Sequence, residues 1–499
     1  MRLNLILRAL GLLSLILAGA MVFPLLWALV YREGDLLAFI ISIGVTGTAG
    51  LGMLYFSRSE NRTELKLTSK EGMAIVTLSW VLAAVFGALP YLIYGTFDNF
   101  PDALFETMSG FTTTGATVLE DIEAQPHGIL FWRSLTHWLG GMGIILLFVA
   151  VLPQLGIGAM QLFKAEVPGP APEKFLPRVA QTAKVLWLIY VGISVLETIL
   201  LYAAGLSLFD AMTHTFATMA TGGFSTRGLS IGAFNSVPME VIIILFMVVA
   251  GGNFGLYYSA LTGNLRRLFG DAEFRFYLSV LGIGILTTTV SLAYKIYPGD
   301  ILTSLRHAAF QVVSITTTTG FTTDNFDAWT PFGRGLLFML MFLGGCGGST
   351  AGAMKQVRLL VLLKYAYREL YKIIHPRAVI PIRIGKKVIP EEVVMNILGF
   401  ILLYLLIFVV MSLVMTALGL PLLSAFAAVA ATLGNIGPGL EMVGPLNTYA
   451  PIPALGKVLL TLGMLAGRLE VYPLLFFMLP EVRGTRAVKR KNSSWTAAN

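Results

Sequence analysis

Four times along this chain an apolar stretch gives way to a loop of threonine and glycine that a lipid-facing helix would not accommodate. The first reads Thr112-Thr113-Thr114-Gly115, between the apolar run Ala103 to Met108 and an acidic segment with Glu120, Asp121 and Glu123. β-Branched threonine loses side-chain freedom in a helix and glycine costs backbone entropy there, so non-helical backbone is favoured. Ala220-Thr221-Gly222-Gly223-Phe224-Ser225 and Thr316-Thr317-Thr318-Thr319-Gly320-Phe321-Thr322 repeat the pattern, and Thr432-Leu433-Gly434-Asn435-Ile436-Gly437-Pro438 is its most divergent copy. Extended backbone at such a place presents a column of oxygens, which can replace the water around a dehydrated alkali cation. With Gly115, Gly223, Gly320 and Gly437 as equivalents, the loops recur at near-even intervals of roughly a hundred residues. That spacing suggests one pore built by pseudo-fourfold repetition within a single chain.

The surrounding composition agrees. Of 499 residues, 56% are hydrophobic and only 12% charged, a balance that belongs to an integral membrane protein. The one cysteine, Cys346, excludes an intrachain disulfide and argues against a cysteine zinc site. Arg2 to Leu17, followed by Ala18-Gly19-Ala20, has the look of a cleavable signal, but the apolar run continues to Val30 and is long enough to span, so an uncleaved first helix is expected. The net charge of +8 is read as loop asymmetry across a membrane and not as nucleic-acid binding.

In order, residues 9 to 31 and 35 to 57 form two spans outside the repeated core. Each following unit is predicted as helix, half-length helix, loop, helix: Gly72 to Tyr94, Pro101 to Phe111 and His127 to Val151; Val185 to Ala204, Phe209 to Met219 and Val237 to Leu261; Phe274 to Tyr294, Ile301 to Ser314 and Gly335 to Leu363; Val393 to Leu418, Leu422 to Ala431 and Leu455 to Met478. The expected organisation is an N-terminal transmembrane hairpin (1–57), pore repeats at 70–165, 178–265, 272–372 and 390–482, and a cytoplasmic tail (483–499). The fold class is thus all-α integral membrane, with four pseudo-fourfold helix–pore-loop–helix repeats around one ion pore plus the hairpin. The half-helices are too short to cross about 30 Å of hydrocarbon, and their negative C-terminal ends suit a cation path.

Two registers support the repeat. Nine residues before the loop glycines lie Glu106, His214, Gln311 and Ala428, of which Glu106 and His214 are expected to be structural hydrogen-bonders. Each closing helix carries glycines: Gly140-Gly141-Met142-Gly143, Gly251-Gly252-Asn253, Gly344-Gly345-Cys346-Gly347-Gly348, and Gly463 with Gly467. In the first two they are expected to allow close packing. In the third, GGCGGSTAG (Gly344 to Gly352) is too glycine-rich for an unbroken helix and should form a mobile loop beneath the filter. Its likeness to a phosphate loop is discounted because no strand precedes it. Most of the 35 basic residues fall on one side, from Arg2 and Arg8 through Arg58, Arg62, Lys66, Lys70, Lys164, Lys174, Arg178, Lys184, Arg266, Arg267 and Arg275 to the group Lys355 to Lys387 and Arg483 to Lys491. That side is expected to be cytoplasmic, with both termini inside and the loops facing out. Lys355 to Glu392 and the proline-bearing Gly158 to Pro177 are candidate docking surfaces.

The expected ion ligands are mostly backbone carbonyls of Thr113, Thr114, Thr221, Gly222, Thr318, Thr319, Asn435 and Ile436, with Gly115, Gly223, Gly320 and Gly437 permitting the turns. Arg468 lies in the last apolar helix, and a charge at that depth faces a cavity or a partner. It either pairs with Glu470, snorkels, or projects into the pore below the filter as an electrostatic brake, the reading preferred here. Lys355 plays a related role or is a cytoplasmic anchor. Asp98, Asp102, Glu120, Asp121, Glu123, Asp324, Asp327 and Glu441 are solvated loop charges, some of which could concentrate cations at the mouth. No catalytic triad or metal cluster is visible, so no catalytic residue is assigned and an enzyme is the least supported class.

FTTTGATV (Phe111 to Val118), ATGGFST (Ala220 to Thr226), TTTTGFTT (Thr316 to Thr323), GNIGPG (Gly434 to Gly439) and GRLEVYP (Gly467 to Pro473) resemble the Trk/Ktr/HKT superfamily of cation transporters, most closely its bacterial TrkH type, over nearly the whole chain. The resemblance implies potassium uptake across the bacterial cytoplasmic (inner) membrane through a gated, channel-like filter, with potassium as the transported ion and no organic cofactor on this chain. It implies a homodimer in membrane lipid with one pore per protomer, gating by the third unit's intramembrane loop (Gly344, Gly345, Gly347, Gly348) and by Arg468, and a cytoplasmic nucleotide-binding ring of the TrkA type as partner. Glycine at 115 implies potassium selectivity, where serine accompanies sodium transport. A sodium- or proton-coupled symporter and a non-conducting membrane scaffold are the alternatives.

Overall fold

Apolar patterning decides where the helices run, and glycine, proline and capping side chains decide where they stop. The computed structural model describes residues 2–57, 68–143 and 179–476. Arg58, Arg62, Lys66, Lys164, Lys174, Arg178, the segment Gly158 to Pro177, the end of the expected helix His127 to Val151, Met478 and the tail 483–499 lie outside the described residues.

The hairpin is α1 (Leu3–Ala20), α2 (Val22–Tyr31) and α3 (Leu36–Phe56). α1 and α3 touch at Gly11 and Gly50, where a Cβ on either would stand 2.8 or 2.9 Å from the other's carbonyl oxygen. The turn between α2 and α3 grips the first unit. Glu33 accepts from the His127 backbone N–H at 2.6 Å, the Tyr31 and His127 rings stack at 3.6 Å, and buried Asp35 lies against Gly128. Two carboxylates thus face a helix N-terminus, where partial positive charge favours them.

The first unit comprises α4 (Ser69–Gly87) and α5 (Leu89–Tyr94), parted just ahead of Pro90, then the half-helix α6 (Phe100–Phe111) and α7 (His127–Gly141). Thr68 and Glu71 form a capping box at the start of α4. The second comprises α8 (Val179–Ala203), α9 (Leu208–Met219), α10 (Val237–Ala250) and α11 (Phe254–Leu261). The third comprises α12 (Ala272–Lys295), α13 (Ile301–Thr316), α14 (Pro331–Leu340) and α15 (Gln356–Ile374), and the fourth α16 (Glu391–Ala417), α17 (Leu422–Leu433), α18 (Ala454–Arg468) and α19 (Tyr472–Phe476). Asn99, Ser207 and Asp300 cap α6, α9 and α13. Among the described residues six helices are long and apolar enough to cross a membrane, or seven if the bent α10–α11 pair counts as one span. The architecture is all-α, four helix–pore-loop–helix repeats around one pore with the hairpin outside, and a two-residue β-ladder (Arg383–Ile384 with Lys387–Val388) follows α15.

Two closing helices expected to be continuous are broken. α10 and α11 meet at 97°, so Gly251-Gly252-Asn253 is a corner as well as a packing site. Asn253 caps α11 through the Gly255 N–H at 2.8 Å. The carbonyl freed at Gly251 accepts from the Cys346 N–H at 2.8 Å, and that of Ala250 from the Thr350 hydroxyl at 3.1 Å. The third unit's loop therefore supplies donors that the break in the second requires. The last helix breaks after Arg468, where Glu470 and Val471 take φ of 54° and 67°, a region a β-branched residue seldom enters. The break expected in the third unit is present between α14 and α15.

Because α1 and α3 meet glycine on glycine, Gly11→Leu should overpack the hairpin and destabilise it by about 1–3 kcal/mol. A lower thermal midpoint of the purified protein in detergent, with ion flux of the folded fraction unchanged, is the expected result.

Candidate ion pore

All four half-helices end in one local motif. The N–H groups of Thr114, Gly222, Thr319 and Ile436 bond to the carbonyls of Ser109, Ala217, Ser314 and Ala431, each at 2.8 Å. The N–H groups of the residues just before them bond to Gly110, Thr218, Ile315 and Thr432 at 2.9–3.2 Å. This is the Schellman helix ending, which needs one left-handed residue, normally glycine. Here that residue is Thr113, Thr221, Thr318 and Asn435, at φ 55°, 54°, 60° and 53°. Two positions on, Gly115, Gly223, Gly320 and Gly437 are again left-handed, at φ 76° to 101°. The residue between is not, and such alternation turns successive carbonyls to one side instead of flipping them as a strand does.

The loops then close on one another. A Cβ on Gly115 would overlap the carbonyl oxygen of Gly222, one on Gly223 that of Thr319, and one on Gly320 that of Ile436, while one on Gly437 would lie 2.7 Å from that of Thr114. Each glycine thus abuts the residue before the next glycine, around a complete circle of four. Both φ and space require glycine at these positions. Thr113, Thr114, Thr221, Thr318, Thr319, Asn435 and Ile436 are all fully buried. None of the hydrogen bonds among the described residues ends on the carbonyls of Thr114, Gly222, Thr319 or Ile436.

The register nine residues upstream supports each loop from behind. Glu106 accepts from the Thr117 hydroxyl and from the Val118 N–H at 3.0 Å, His214 meets the Ser225 hydroxyl at 2.9 Å, and Gln311 reaches Thr323 at 3.4 Å. In the fourth unit the Ala428 side chain has no polar atom. Tyr449 takes over, donating its hydroxyl to the Gly437 carbonyl at 2.8 Å and its N–H to Thr117 at 2.8 Å. The Asn435 amide donates to the Thr114 hydroxyl at 3.0 Å and the Met464 carbonyl at 2.9 Å, tying the most divergent loop to the first.

Beneath the ring lies Arg468, at the end of α18 and not within a continuous helix. It donates to the carbonyls of Gly140 and Gly141 at 2.6 and 2.8 Å, to that of Thr350 at 2.8 Å, and to the Thr113 hydroxyl at 3.3 Å. The expected alternative partner, Glu470, pairs with Arg358 instead. The non-helical run between α14 and α15 passes under the other loops. Its Thr350 hydroxyl bonds Met219 at 3.0 Å, its Gly352 N–H donates to the Thr318 hydroxyl at 2.7 Å, and a Cβ on Gly352 would overlap the Gly434 carbonyl. Gly344 and Gly348 take φ of 67° and 78°, Gly345 packs on the Gly251 carbonyl, and the Gly347 N–H donates to Glu273 at 2.6 Å. Lys355 is buried and donates to the Ala351 carbonyl, so it belongs to this loop and is no cytoplasmic anchor. Arg468, Lys355 and the loop line a cavity of about 80 Å³.

On the opposite side a cavity of about 350 Å³ is lined by all four loop glycines together with Glu120 and Glu123. Several acids read as solvated loop charges are held by partners. Asp102 pairs with Lys457 at 2.7 Å, Asp324 accepts from Tyr297 and Trp329 at 2.8 and 2.7 Å, Asp327 and Glu441 both face Arg334, and Glu123 accepts from the Gly228 N–H at 2.8 Å. Glu273 and Tyr449 escaped the sequence reading, while Thr350 and Gly352 fell inside the GGCGGSTAG run without a role of their own. The signal that could have found Glu273 is a carboxylate at the very start of an apolar span.

Residues 38–482 match the family model described as TrkH, cation transport protein. The chain is 44% identical to the Trk system potassium uptake protein TrkH of Salmonella typhimurium, over 95% of this chain and 98% of that one. It is 34% identical to the Trk system potassium uptake protein TrkG of Escherichia coli, over 91% and 93%. The crystal structure of the potassium transporter TrkH from Vibrio parahaemolyticus superposes with a TM-score of 0.85 at 37% identity, covering 96% of this chain and 99% of that one. With this match along almost its entire length, on top of the four-loop pore, the chain belongs to the TrkH family of cation transport proteins.

Proposed function

We propose that this protein takes up potassium across the bacterial cytoplasmic membrane by gated, channel-like permeation. The observation that carries the reading is the closed circle of loop glycines and neighbouring carbonyls. Four oxygens with no donor of their own, facing a common axis between two cavities, can stand in for an ion's hydration shell. The ligands are the carbonyls of Thr113, Thr114, Thr221, Gly222, Thr318, Thr319, Asn435 and Ile436. A membrane voltage of 100 mV supplies about 2.3 kcal/mol per charge, so uptake needs no chemistry. The relatives' names, potassium uptake proteins of a Trk system, support the same ion.

Arg468, Lys355 and the glycine loop form the gate: two cations and a crossing segment stand where an ion would leave the filter. A positive charge in a confined, poorly hydrated space repels a second cation far more strongly than it would in water. Opening then requires the loop to move and Arg468 to turn aside. The basic residues set the orientation, with both termini cytoplasmic, and a homodimer in lipid gated by a TrkA-type nucleotide-binding ring is the assembly this reading adopts. Coupling to protons is the second reading. It is favoured by Glu197, a fully buried carboxylate within the span Gln181–Ala203.

Four outcomes test these assignments in liposomes. Gly115→Ser adds a Cβ where the Gly222 carbonyl stands, and the potassium-to-sodium flux ratio should fall by about tenfold or more. Arg468→Ala removes the brake and should raise rubidium flux several-fold; an unchanged flux would remove Arg468 from the gate. Rubidium influx that persists without proton or sodium gradients, and is unaffected by Glu197→Gln, supports permeation over symport. No flux from the wild type, even with its cytoplasmic partner, would leave the scaffold reading standing.

A further inference from the structure

Behind two of the four loops lies a buried ion pair that neither the filter carbonyls nor the gate requires. The Arg133 Nε of α7 donates to the Glu106 carboxylate of α6 at 2.8 Å, and the side chains are 1% and 0% exposed. Two charges taken from water are retained only where geometry and hydrogen bonding are nearly complete, and here they are. Glu106 also accepts from the Thr117 hydroxyl at 2.9 and 3.0 Å and from the Val118 N–H at 3.0 Å, both in the first loop. Arg133 donates further to the Ser225 carbonyl of the second loop at 3.2 Å and to the Thr117 hydroxyl at 3.3 Å. Its guanidinium lies 4.0 Å from the centroid of the Phe224 ring, the residue after the second loop's glycine. His137 stacks on the same ring at 4.1 Å.

Contacts therefore run unbroken from the first loop through two helices to the second. At the register position of Glu106 the third and fourth units carry neutral Gln311 and Ala428. Where the circle of glycines requires all four loops to keep their spacing, this pair pins one quadrant from behind.

We infer that Glu106 and Arg133 are positioning residues that set ion specificity, by fixing the distance between the first and second loops so that the oxygens cannot close onto a smaller cation. The inference rests on the cation-pore reading above. A planar guanidinium is suited to this role because its fork holds a carboxylate, a carbonyl and a hydroxyl at fixed angles, which a lysine ammonium does not.

The test compares rubidium and sodium tracer influx into liposomes containing full-length wild type, Arg133→Lys, Glu106→Gln or Thr117→Val. Arg133→Lys and Glu106→Gln should raise the sodium-to-rubidium ratio by about fivefold or more. Thr117→Val leaves both charges in place, removes the hydroxyl that joins them, and should raise the ratio less. It keeps the inference testable if the charge variants fail to fold. A purely stabilising pair would lower the thermal midpoint and total flux while leaving the ratio alone, and that result in the folded variants overturns the inference with the pore reading intact. A wild type that passes neither ion overturns both.

Discussion

Everything in this fold is arranged to hold four glycines within contact of four carbonyl oxygens. The contacts are cyclic, so no loop can move or accept a side chain without disturbing its neighbour, and the fourth returns to the first. Such a ring is costly in isolation. A buried carbonyl without a donor forfeits about 1–3 kcal/mol, and four face one another here. On the pore reading proposed above, a cation on the axis would offset that cost, and the carbonyls that destabilise the ring would be its ligands. The half-helices add to it, since each directs its C-terminal partial charge toward the axis.

The left-handed threonines show how far the chain departs from local preference to achieve this. A non-glycine residue at that φ costs about 1–2 kcal/mol, and three of four loops place threonine there. The side chains explain the choice. The Thr113 hydroxyl meets Arg468, the Thr318 hydroxyl accepts from Gly352, and the Asn435 amide spans to the first loop and to α18. Glycine would relieve the backbone and sever the ring of loops from what lies under it. Thr221, whose hydroxyl among the described residues bonds only to the adjacent Ala220 carbonyl at 2.6 Å, is the one position where that exchange is not evident.

The loops, half-helices and hairpin were legible in the sequence because each rests on a local rule: threonine and glycine where helix is disfavoured, apolar length against bilayer thickness, proline and caps at the ends. The closing-helix breaks were legible only where glycine was dense enough to decide alone. Gly251-Gly252-Asn253 falls short of that, and its corner is stabilised by Cys346 and Thr350, residues about a hundred positions away. The run after Arg468 contains no glycine, and its local signals are Gly467 before it and Pro473 five residues on, which cannot bond the Leu469 carbonyl. Lys355 was left between two roles for a related reason: a lysine at the edge of an apolar span normally marks the membrane surface, while the GGCGGSTAG run before it points inward, and its burial against the Ala351 carbonyl decides for the loop. The Arg133–Glu106 pair was half visible, since Glu106 fell in the repeat register while its partner belongs to no register.

The breaks in the second, third and fourth closing helices are not independent. The second unit's freed carbonyls are bonded by the third unit's loop, that loop donates to the Thr318 hydroxyl, and its Thr350 carbonyl receives Arg468 from the end of α18. If the loop withdrew, the bonds to Met219, Ala250, Gly251, Thr318 and Arg468 would all be lost. At about 0.5–1.5 kcal/mol for each neutral bond and somewhat more for the charged one, the gross loss is several kcal/mol before water in the opened cavity restores part of it. What remains lies near the 1–3 kcal/mol that a ligand bound at a distant site commonly contributes through differential affinity. A loop held largely by scattered hydrogen bonds is therefore secure at rest and, on the gated reading proposed above, still within reach of a ligand bound at a distant site.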